Sequence, residues 1–254
     1  MIFHEADFPY YTFGNLAAYN GLRHFVTSCR QGALGDVNLR STNGAENRRR
    51  LARSVGFDIN RLTTAEQTHS LNIAVVNEKN AGRGALTIES RISETDALIT
   101  NQPGVCIMVL TADCQSVLLY DAENHAVAAI HAGWRGTAGG IVRLTVEAMQ
   151  REFGSMPSRL VAALGPCIGS CCFEVGEDVA SQFSQWPDCV LRKAEWARPH
   201  INLSEVNRLL LVSAGLPPEN IESAQTCTKC HNDEFFSFRH NQTLGRIGTG
   251  IMLA

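Results

Sequence analysis

The chain has 254 residues, of which 44% are apolar and 19% are charged, a composition typical of a globular protein with a sizeable core. Its formal net charge of −3, without a block of Lys or Arg, excludes an electrostatic footprint for nucleic acid or a membrane surface. No apolar run reaches the roughly twenty residues of a membrane span, and the first residues lack a signal-peptide pattern, so we expect a soluble, cytoplasmic protein.

Short apolar strands and amphipathic helices are predicted along the chain. The predicted helices cover residues 45–55, 141–152 and 203–214, the last with Ser204 as its candidate N-cap and Gly215 just past its end. The predicted strands cover residues 72–76, 97–100, 105–110, 116–120, 126–131 and 160–165. Continuous apolar character at 105–110 and 126–131 predicts strands that are buried on both faces. We therefore expect one domain over residues 1–254, of class α/β (α+β), with mixed β-sheets and flanking helices.

Residues 111–136, TADCQSVLLYDAENHAVAAIHAGWRG, contain the side chains best suited to chemistry. The turn-prone segment 121–124 predicts an antiparallel hairpin between the strands on either side of it. A hairpin centred on that turn places Cys114 directly opposite His131, with their Cβ atoms roughly 5 Å apart. A thiolate and an imidazole at that separation can share one metal ion.

A third ligand is needed, and His69 is the best candidate because it lies in a polar turn just before the strand at 72–76. Two imidazoles and one thiolate leave a fourth tetrahedral position open, which is typical of catalytic rather than structural zinc. The alternative is that His131 is a hydrogen-bonded core histidine and Cys114 a buried thiol. Asp113 is a candidate proton carrier, although adjacent strand residues point to opposite faces.

The glycine-rich segment GWRGTAGG, residues 133–140, leads into the predicted helix at 141. Glycines permit close backbone approach, a helix N-terminus offers N–H donors, and Arg135 adds a forked cation, so we predict an anion site here. The spacing matches neither a Walker loop nor a dinucleotide-binding motif. A packing turn with a solvated arginine is the alternative.

Nine cysteines occur in the chain, several of them in the segments GPCIGSCCFEVG (165–176) and CTKCH (227–231). In a reducing compartment they are expected to be buried thiols, metal ligands or nucleophiles rather than disulfides. We expect Cys167 to be a buried structural thiol, and the adjacent Cys171 and Cys172 not to serve one site together.

CTKCH also matches the pattern of covalent haem attachment. Such attachment normally follows export, and no leader is visible in the sequence. The residues that follow predict a turn and then an apolar strand at FFSF, residues 235–238. We therefore expect no haem, and no contribution of Cys230 to zinc binding.

Four segments, in this order, resemble the YfiH/DUF152 family: TADCQSVLLYD, HAGWRGTAGGI, GPCIGSCCFEVGEDV and CTKC…FFSFR. Members of that family have been named multicopper polyphenol oxidase (laccase domain), purine nucleoside phosphorylase and peptidoglycan editing factor. The resemblance runs from about Asn38 to the C-terminus. It implies a single α/β domain, and a catalytic zinc ion held by His69, Cys114 and His131.

The resemblance also implies phosphorolysis and deamination of adenosine, inosine and methylthioadenosine. Asn38 and Arg48 fit the family's Asn-Leu and Asn-Arg positions, and with Arg135 they are the implied substrate and phosphate contacts. The family's Gln-x-His-Gly is here Gln-Thr-His-Ser, which keeps the ligand His69. The arginine- and glycine-rich segment near the N-terminus is degraded at residues 29–34, and the usual Arg-Arg near the C-terminus is Arg-His.

The leading hypothesis is a zinc-dependent purine nucleoside phosphorylase with adenosine deaminase activity, whose partners are a nucleoside and phosphate rather than nucleic acid or a membrane. A zinc-dependent amide hydrolase acting on peptidoglycan precursors, a copper-dependent polyphenol oxidase and a binding protein with structural zinc are the alternatives. Eight histidines without a His-x-His pair supply too few ligands for a multinuclear copper cluster, so zinc is preferred to copper. The oligomeric state is left open.

Overall fold

The apolar strands of the chain form two six-stranded mixed sheets that lie face to face in a computed structural model, which describes residues 1–30, 39, 44–242 and 245–254. In spatial order, the first sheet contains β1 (Ile2–His4), β2 (Tyr10–Thr12), β3 (Leu22–Thr27), β14 (Ile247–Leu253), β7 (Cys106–Thr111) and β4 (Leu62–Thr64). Its neighbouring strands are antiparallel except for the parallel pair β4 and β7.

The second sheet contains the hairpin predicted to carry the chemistry. In spatial order its strands are β13 (Ile221–Ser223), β10 (Val161–Leu164), β8 (Gln115–Asp121), β9 (Ala126–Ala132), β6 (Ala97–Thr100) and β5 (Ile73–Val75). The outer pairs, β13 with β10 and β6 with β5, are parallel, and the inner pairs are antiparallel. A separate two-stranded ribbon joins β11 (Val190–Leu191) to β12 (His200–Ile201).

The described residues form six α-helices, namely α1 (Gly14–Ala17), α2 (Gly44–Val55), α3 (Trp134–Ala138), α4 (Ile141–Phe153), α5 (Glu177–Ala180) and α6 (Leu203–Ser213). Helix α2 packs on the outer face of the first sheet and α4 on the outer face of the second, whereas Leu16 of α1 packs between the sheets. None of the helices in the described ranges is long and apolar enough to cross a membrane.

Alternating side chains divide the core into layers. In β7, Ile107 packs between the two sheets while Met108 packs against α2 on the outer face. In β8, Leu118 points between the sheets and Leu119 points toward α4. The order of layers is therefore helix, sheet, sheet, helix, and strands in such an arrangement are apolar on both faces. The predicted α/β fold with mixed sheets, flanking helices and doubly buried strands is confirmed.

Apart from the strand predicted at 235–238, the predicted strands and helices are all present, with ends that differ by at most one residue. Two local predictions are wrong. The N-cap of α6 is Asn202, whose side chain accepts a hydrogen bond from the Glu205 backbone N–H, and not Ser204. Residues 235–238 are not a strand, because the turn that starts at Cys227 continues until the Phe235 amide donates to the His231 carbonyl.

The central strand β14, with the sequence IGTGIML, has no counterpart among the predicted strands. Glycine weakens a strand pattern because it has no side chain to pack. Here the glycines are required by close packing, since a Cβ on Gly250 would lie 2.4 Å from Cζ of Phe25. Side chains of neighbouring residues therefore occupy the space that a Cβ would fill at Gly248 and Gly250.

Candidate metal centre and active site

Three chain segments bring His69, Cys114 and His131 together at one end of the second sheet. His131 lies in β9, Cys114 immediately precedes β8, and His69 lies in the loop between β4 and β5. The candidate ligand atoms of the three side chains all lie within 4.8 Å of one another, and Cys114 Sγ is 3.9 Å from His69 Nε2. The cluster is open on one side, because His131 is buried while His69 is exposed.

The register of the hairpin differs from the predicted one. His131 pairs with Ser116, and the strands are joined by a four-residue loop at 122–125 that ends with His125 in a left-handed conformation (φ 47°). Asp121 caps this loop by accepting the Glu123 and Asn124 amides, so the centre of the turn moves by one residue. Cys114 is consequently diagonal to His131 rather than opposite it. A shift of two positions in the pairing leaves Cys114 and His131 on the same face of the sheet, so their side chains still meet.

Asp96, which the sequence reasoning missed, orients His131. Its carboxylate is completely buried, and Oδ1 lies 2.7 Å from Nδ1 of His131. With Nδ1–H donating to Asp96, Nε2 is the ring nitrogen that faces the Cys114 sulfur. A histidine that donates its second ring nitrogen to a carboxylate is the usual outer-shell arrangement of a protein metal ligand.

The same carboxylate holds the loop that carries His69. Backbone N–H groups of Thr68, His69 and Ser70 all donate to Asp96, at 3.2, 3.1 and 2.7 Å. These bonds stabilise His69 in the left-handed region (φ 62°), which is unfavourable for a residue with a side chain. The Ser70 side chain adds a hydroxyl bond of 2.7 Å to Asp96.

The electrostatics of the cluster favour a thiolate. Burial raises the pKa of Cys114, but hydrogen bonds and charge from His131 and His69 outweigh it and lower the pKa to about 6. Burial lowers the pKa of His131, but the Asp96 and Cys114 bonds outweigh it and raise the pKa to about 9. The thiolate is the form in which cysteine binds metal ions, and a metal ion bound here would take the place of the second His131 proton.

Gly133, directly after β9, leaves room for the side chains of His69 and Cys114 to approach each other. A Cβ at this position would lie 2.7 Å from His69 Cδ2 and 3.1 Å from Cys114 Sγ. Two imidazoles and a thiolate within 4.8 Å, one of them oriented by a carboxylate, form a donor set suited to zinc with an open fourth position. The residues present therefore fit the expected metal ion.

Asp113 does not project toward the cluster as a free carboxylate. Its Oδ1 accepts a hydrogen bond of 2.6 Å from the Thr228 hydroxyl, and its Oδ2 accepts one of 2.6 Å from the Arg239 amide. Its backbone has φ 83°, so this turn, next to Cys114, is also held in a left-handed conformation. Asp113 links the turn at Cys114 to the C-terminal part of the chain.

The segment 133–140 is not an open glycine loop. Residues Trp134–Ala138 form the short helix α3, and Gly140, in a left-handed conformation, separates it from α4. Arg135 is exposed, and its guanidinium lies 4.2 Å from the centre of the Trp134 ring. Within the described part of the chain it makes no ion pair, so its charge is available to a ligand. Anion binding by Arg135 stays a prediction.

The other two implied substrate contacts are not brought to this cluster by any described contact. Arg48 in α2 is buried, and its guanidinium donates to the backbone carbonyls of Leu39 and Ala85 at 3.0 and 2.9 Å. Arg48 therefore ties the start of α2 to the loop at 84–85. Asn38 lies outside the described residues.

Four of the nine cysteines form a second cluster. The sulfurs of Cys171, Cys172, Cys227 and Cys230 all lie within 4.8 Å of one another. The expectation that the adjacent Cys171 and Cys172 cannot serve one site is therefore wrong. It assumed an extended chain, in which neighbouring side chains diverge, but residues 170–172 form a turn. Cys167 is buried, as predicted.

Comparison with known proteins shows similarity along almost the whole chain. The family described as multi-copper polyphenol oxidoreductase laccase matches residues 33–254. A purine nucleoside phosphorylase from Bacteroides thetaiotaomicron is 38% identical over 255 residues, covering 94% of each chain. Adenosine deaminase RL5, from an unknown prokaryotic organism, is 40% identical over 79% of this chain and 78% of its own. The crystal structure of Bacillus licheniformis YfiH superimposes with a TM-score of 0.89 at 29% identity, covering 99% of both chains.

Proposed function

The chain belongs to the YfiH (laccase domain) family, and from that membership we propose that it is a zinc-dependent purine nucleoside phosphorylase that also deaminates adenosine. The relatives that share its full length or most of it are named purine nucleoside phosphorylase and adenosine deaminase, which supports an enzyme acting on purine nucleosides. The proposal also includes zinc dependence and both activities. Its substrates are adenosine, inosine and methylthioadenosine.

The observation that carries the proposal is the cluster of His69, Cys114 and His131 with its orienting carboxylate. Asp96 holds the Nδ1 proton of His131 and three amides of the His69 loop, so the donor atoms are positioned before any ligand arrives. Preorganisation of this kind is what a catalytic site requires. Zinc bound there would supply Lewis-acid activation of a reacting group.

Arg135 supplies the positive charge that phosphate requires. It lies four residues after His131, in the short helix α3, and its charge is not neutralised by any described carboxylate. In phosphorolysis a phosphate oxygen forms a bond to the ribose anomeric carbon, the bond to the purine nitrogen breaks, and the base leaves with a proton. In deamination water adds at purine C6 and ammonia leaves. Arg135 is needed only for the first reaction.

Zinc is a better fit than copper to the donor set. Within the described residues the only two groups of metal-binding side chains are this cluster and the four cysteines. An oxygen-reducing multicopper site needs several histidine-rich groups, and neither of these provides them. We propose that the laccase name of the family describes its sequence relationship and not the reaction of this chain.

The test is a substrate panel with defined metal content. Zinc-loaded protein should convert inosine or adenosine with phosphate to the free base and ribose 1-phosphate, and adenosine without phosphate to inosine and ammonia. Cys114→Ser should lose both activities together with its metal. Absence of both activities in the wild type, with zinc bound, would overturn the proposal, and turnover of muramyl peptides would then identify an amide hydrolase.

A further inference from the structure

Two separate loops bring four thiols to one point on the surface. Cys171 and Cys172 lie in the turn after β10, and Cys227 and Cys230 lie in the Cys-x-x-Cys turn before the C-terminal segment. Cys172 and Cys227 are partly buried, whereas Cys171 and Cys230 are exposed. None of the four belongs to the His69 cluster.

The distances between the sulfurs match a shared ion better than a disulfide. Cys230 Sγ lies 3.6 Å from Cys171 Sγ and 3.5 Å from Cys172 Sγ. Four sulfurs at the zinc–thiolate bond length of about 2.3 Å are about 3.8 Å apart at the corners of a tetrahedron, whereas a disulfide requires about 2.05 Å. Because the distances from Cys230 to Cys171 and to Cys172 differ by only 0.1 Å, the geometry selects no single pair for oxidation.

The backbone holds both turns in place without the ion. The amides of Cys172 and Phe173 both donate to the Gly169 carbonyl, and the His200 ring contacts the Ser170 carbonyl at 2.6 Å. In the other turn the His231 amide donates to the Cys227 carbonyl at 3.0 Å. Gly169 lies against the sulfurs, since a Cβ there would lie 3.2 Å from Cys171 Sγ. The four thiols are therefore preorganised.

We propose that Cys171, Cys172, Cys227 and Cys230 bind a second zinc ion, in a closed tetrahedral site with a structural role. Four thiolates without an open position are typical of structural zinc. Soft thiolates select zinc or iron over harder ions. A two-iron cluster would need two pairs of thiolates on different irons, whereas here every sulfur lies within 4.8 Å of every other. This proposal is independent of the proposed function and reverses the expectation that Cys230 plays no part in zinc binding.

The second site braces the turn that carries Cys114. Thr228, inside the Cys-x-x-Cys turn, donates its hydroxyl to Asp113 at 2.6 Å, and its amide donates to the Cys167 carbonyl at 3.0 Å. The Ile168 amide donates to the Asp113 carbonyl at 2.9 Å. The two loops that carry the four thiols thus both contact Asp113, the residue immediately before Cys114. A structural ion that joins them would fix the position of that ligand.

The experiment counts zinc per full-length chain, purified with a reducing agent, by mass spectrometry of metals. A His69→Ala/Cys114→Ser variant removes the first centre, and it should retain one equivalent of zinc. Adding Cys171→Ser and Cys230→Ser should remove that equivalent, whereas adding Cys167→Ala, a thiol of the same loop outside the cluster, should leave it in place. Retention after loss of the two cysteines, or no zinc in the first variant, would overturn the proposal.

A spectroscopic measurement on the unmutated cysteine site guards against variants that fail to fold. Reconstitution of the His69→Ala/Cys114→Ser protein with Co²⁺ should give the strong thiolate-to-cobalt absorption and d–d bands of a tetrahedral four-thiolate complex. Zinc should displace the cobalt and abolish both absorptions. Weak octahedral bands, bound iron in the native protein, or a disulfide among the four cysteines in protein kept reduced would each refute a structural zinc site.

Discussion

Asp96→Asn tests whether the buried carboxylate determines metal binding through the tautomer of His131. In the wild type, Oδ1 accepts from His131 Nδ1 and the His69 amide, while Oδ2 accepts from the Thr68 and Ser70 amides and the Ser70 hydroxyl. An asparagine whose oxygen replaces Oδ2 keeps the last three bonds and presents its NH₂ group to His131. The imidazole must then accept at Nδ1, which moves its proton to Nε2.

A protonated Nε2 cannot bind a metal ion. Loss of an outer-shell partner typically weakens metal binding ten- to a hundredfold, or about 1.4–2.7 kcal/mol. Because the substitution also blocks the ligand nitrogen, we expect the loss of zinc affinity to be near the upper end of this range. The NH₂ group additionally faces the His69 amide, so the loop that carries the second imidazole loses a charge-assisted bond.

The assay is competition for zinc with a chromogenic chelator, in protein that also carries Cys171→Ser and Cys230→Ser so that only this centre is measured. Asp121→Asn is the matched control. Its carboxylate is equally buried and accepts three hydrogen bonds, but it lies at the opposite end of the same hairpin. Equal zinc affinity in the Asp96→Asn and Asp121→Asn proteins would refute the tautomer argument.

Three further predictions follow from single contacts. Gly133→Ala should displace His69 and Cys114 and lower zinc content at this centre, measured by metal analysis. Gly136→Ala, three residues later in the short helix α3, should keep the zinc content. Arg135→Ala should reduce phosphorolysis roughly ten- to over a hundredfold, the equivalent of about 1.5–3 kcal/mol, with a smaller effect on adenosine deamination. Arg151→Ala, an exposed arginine paired with Glu152, is its kinetic control. Burial lowers the pKa of His24 to about 4, and the unprotonated ring accepts the Phe13 amide at 2.7 Å. As the pH is lowered from about 6.5 to 4, the unfolded chain therefore binds a proton that the folded chain does not bind. The free energy of unfolding should decrease over that pH range by up to about 3 kcal/mol. Denaturant titrations should show a weaker pH dependence in His24→Gln, and an unchanged slope would contradict this assignment.

The three candidate ligands could be predicted from the sequence because their chemistry is local. Cys114 and His131 lie in two strands joined by a short turn, and strand alternation places both side chains on one face whether the turn has two residues or four. His69 was identified from its residue type and its place before a strand. In the structure their candidate ligand atoms lie within 4.8 Å of one another, and their role as metal ligands stays a prediction.

The exact pairing depended on the turn, whose local conformation the residue types alone left open. Asp121 and the left-handed His125 lengthen the loop, and this moved the partner of His131 from Cys114 to Ser116. The strand β14 was missed because its glycines make sense only beside the side chain of Phe25. For β14 the deciding contact lies outside the strand, whereas for the hairpin it lies within the turn, where several conformations are compatible with the same residue types.

By itself the sequence determined the α/β class, the doubly buried strands and the residue types of the candidate metal centre, since these follow from hydrophobic periodicity and ligand chemistry within short segments. Only the tertiary structure decided that Asp96 orients both histidines and that four cysteines from two loops share one point. Asp96 lies 35 residues from His131, and Cys172 lies 58 residues from Cys230. Residues so far apart in the chain meet only because the two sheets and their loops pack in one particular arrangement, which no local pattern encodes.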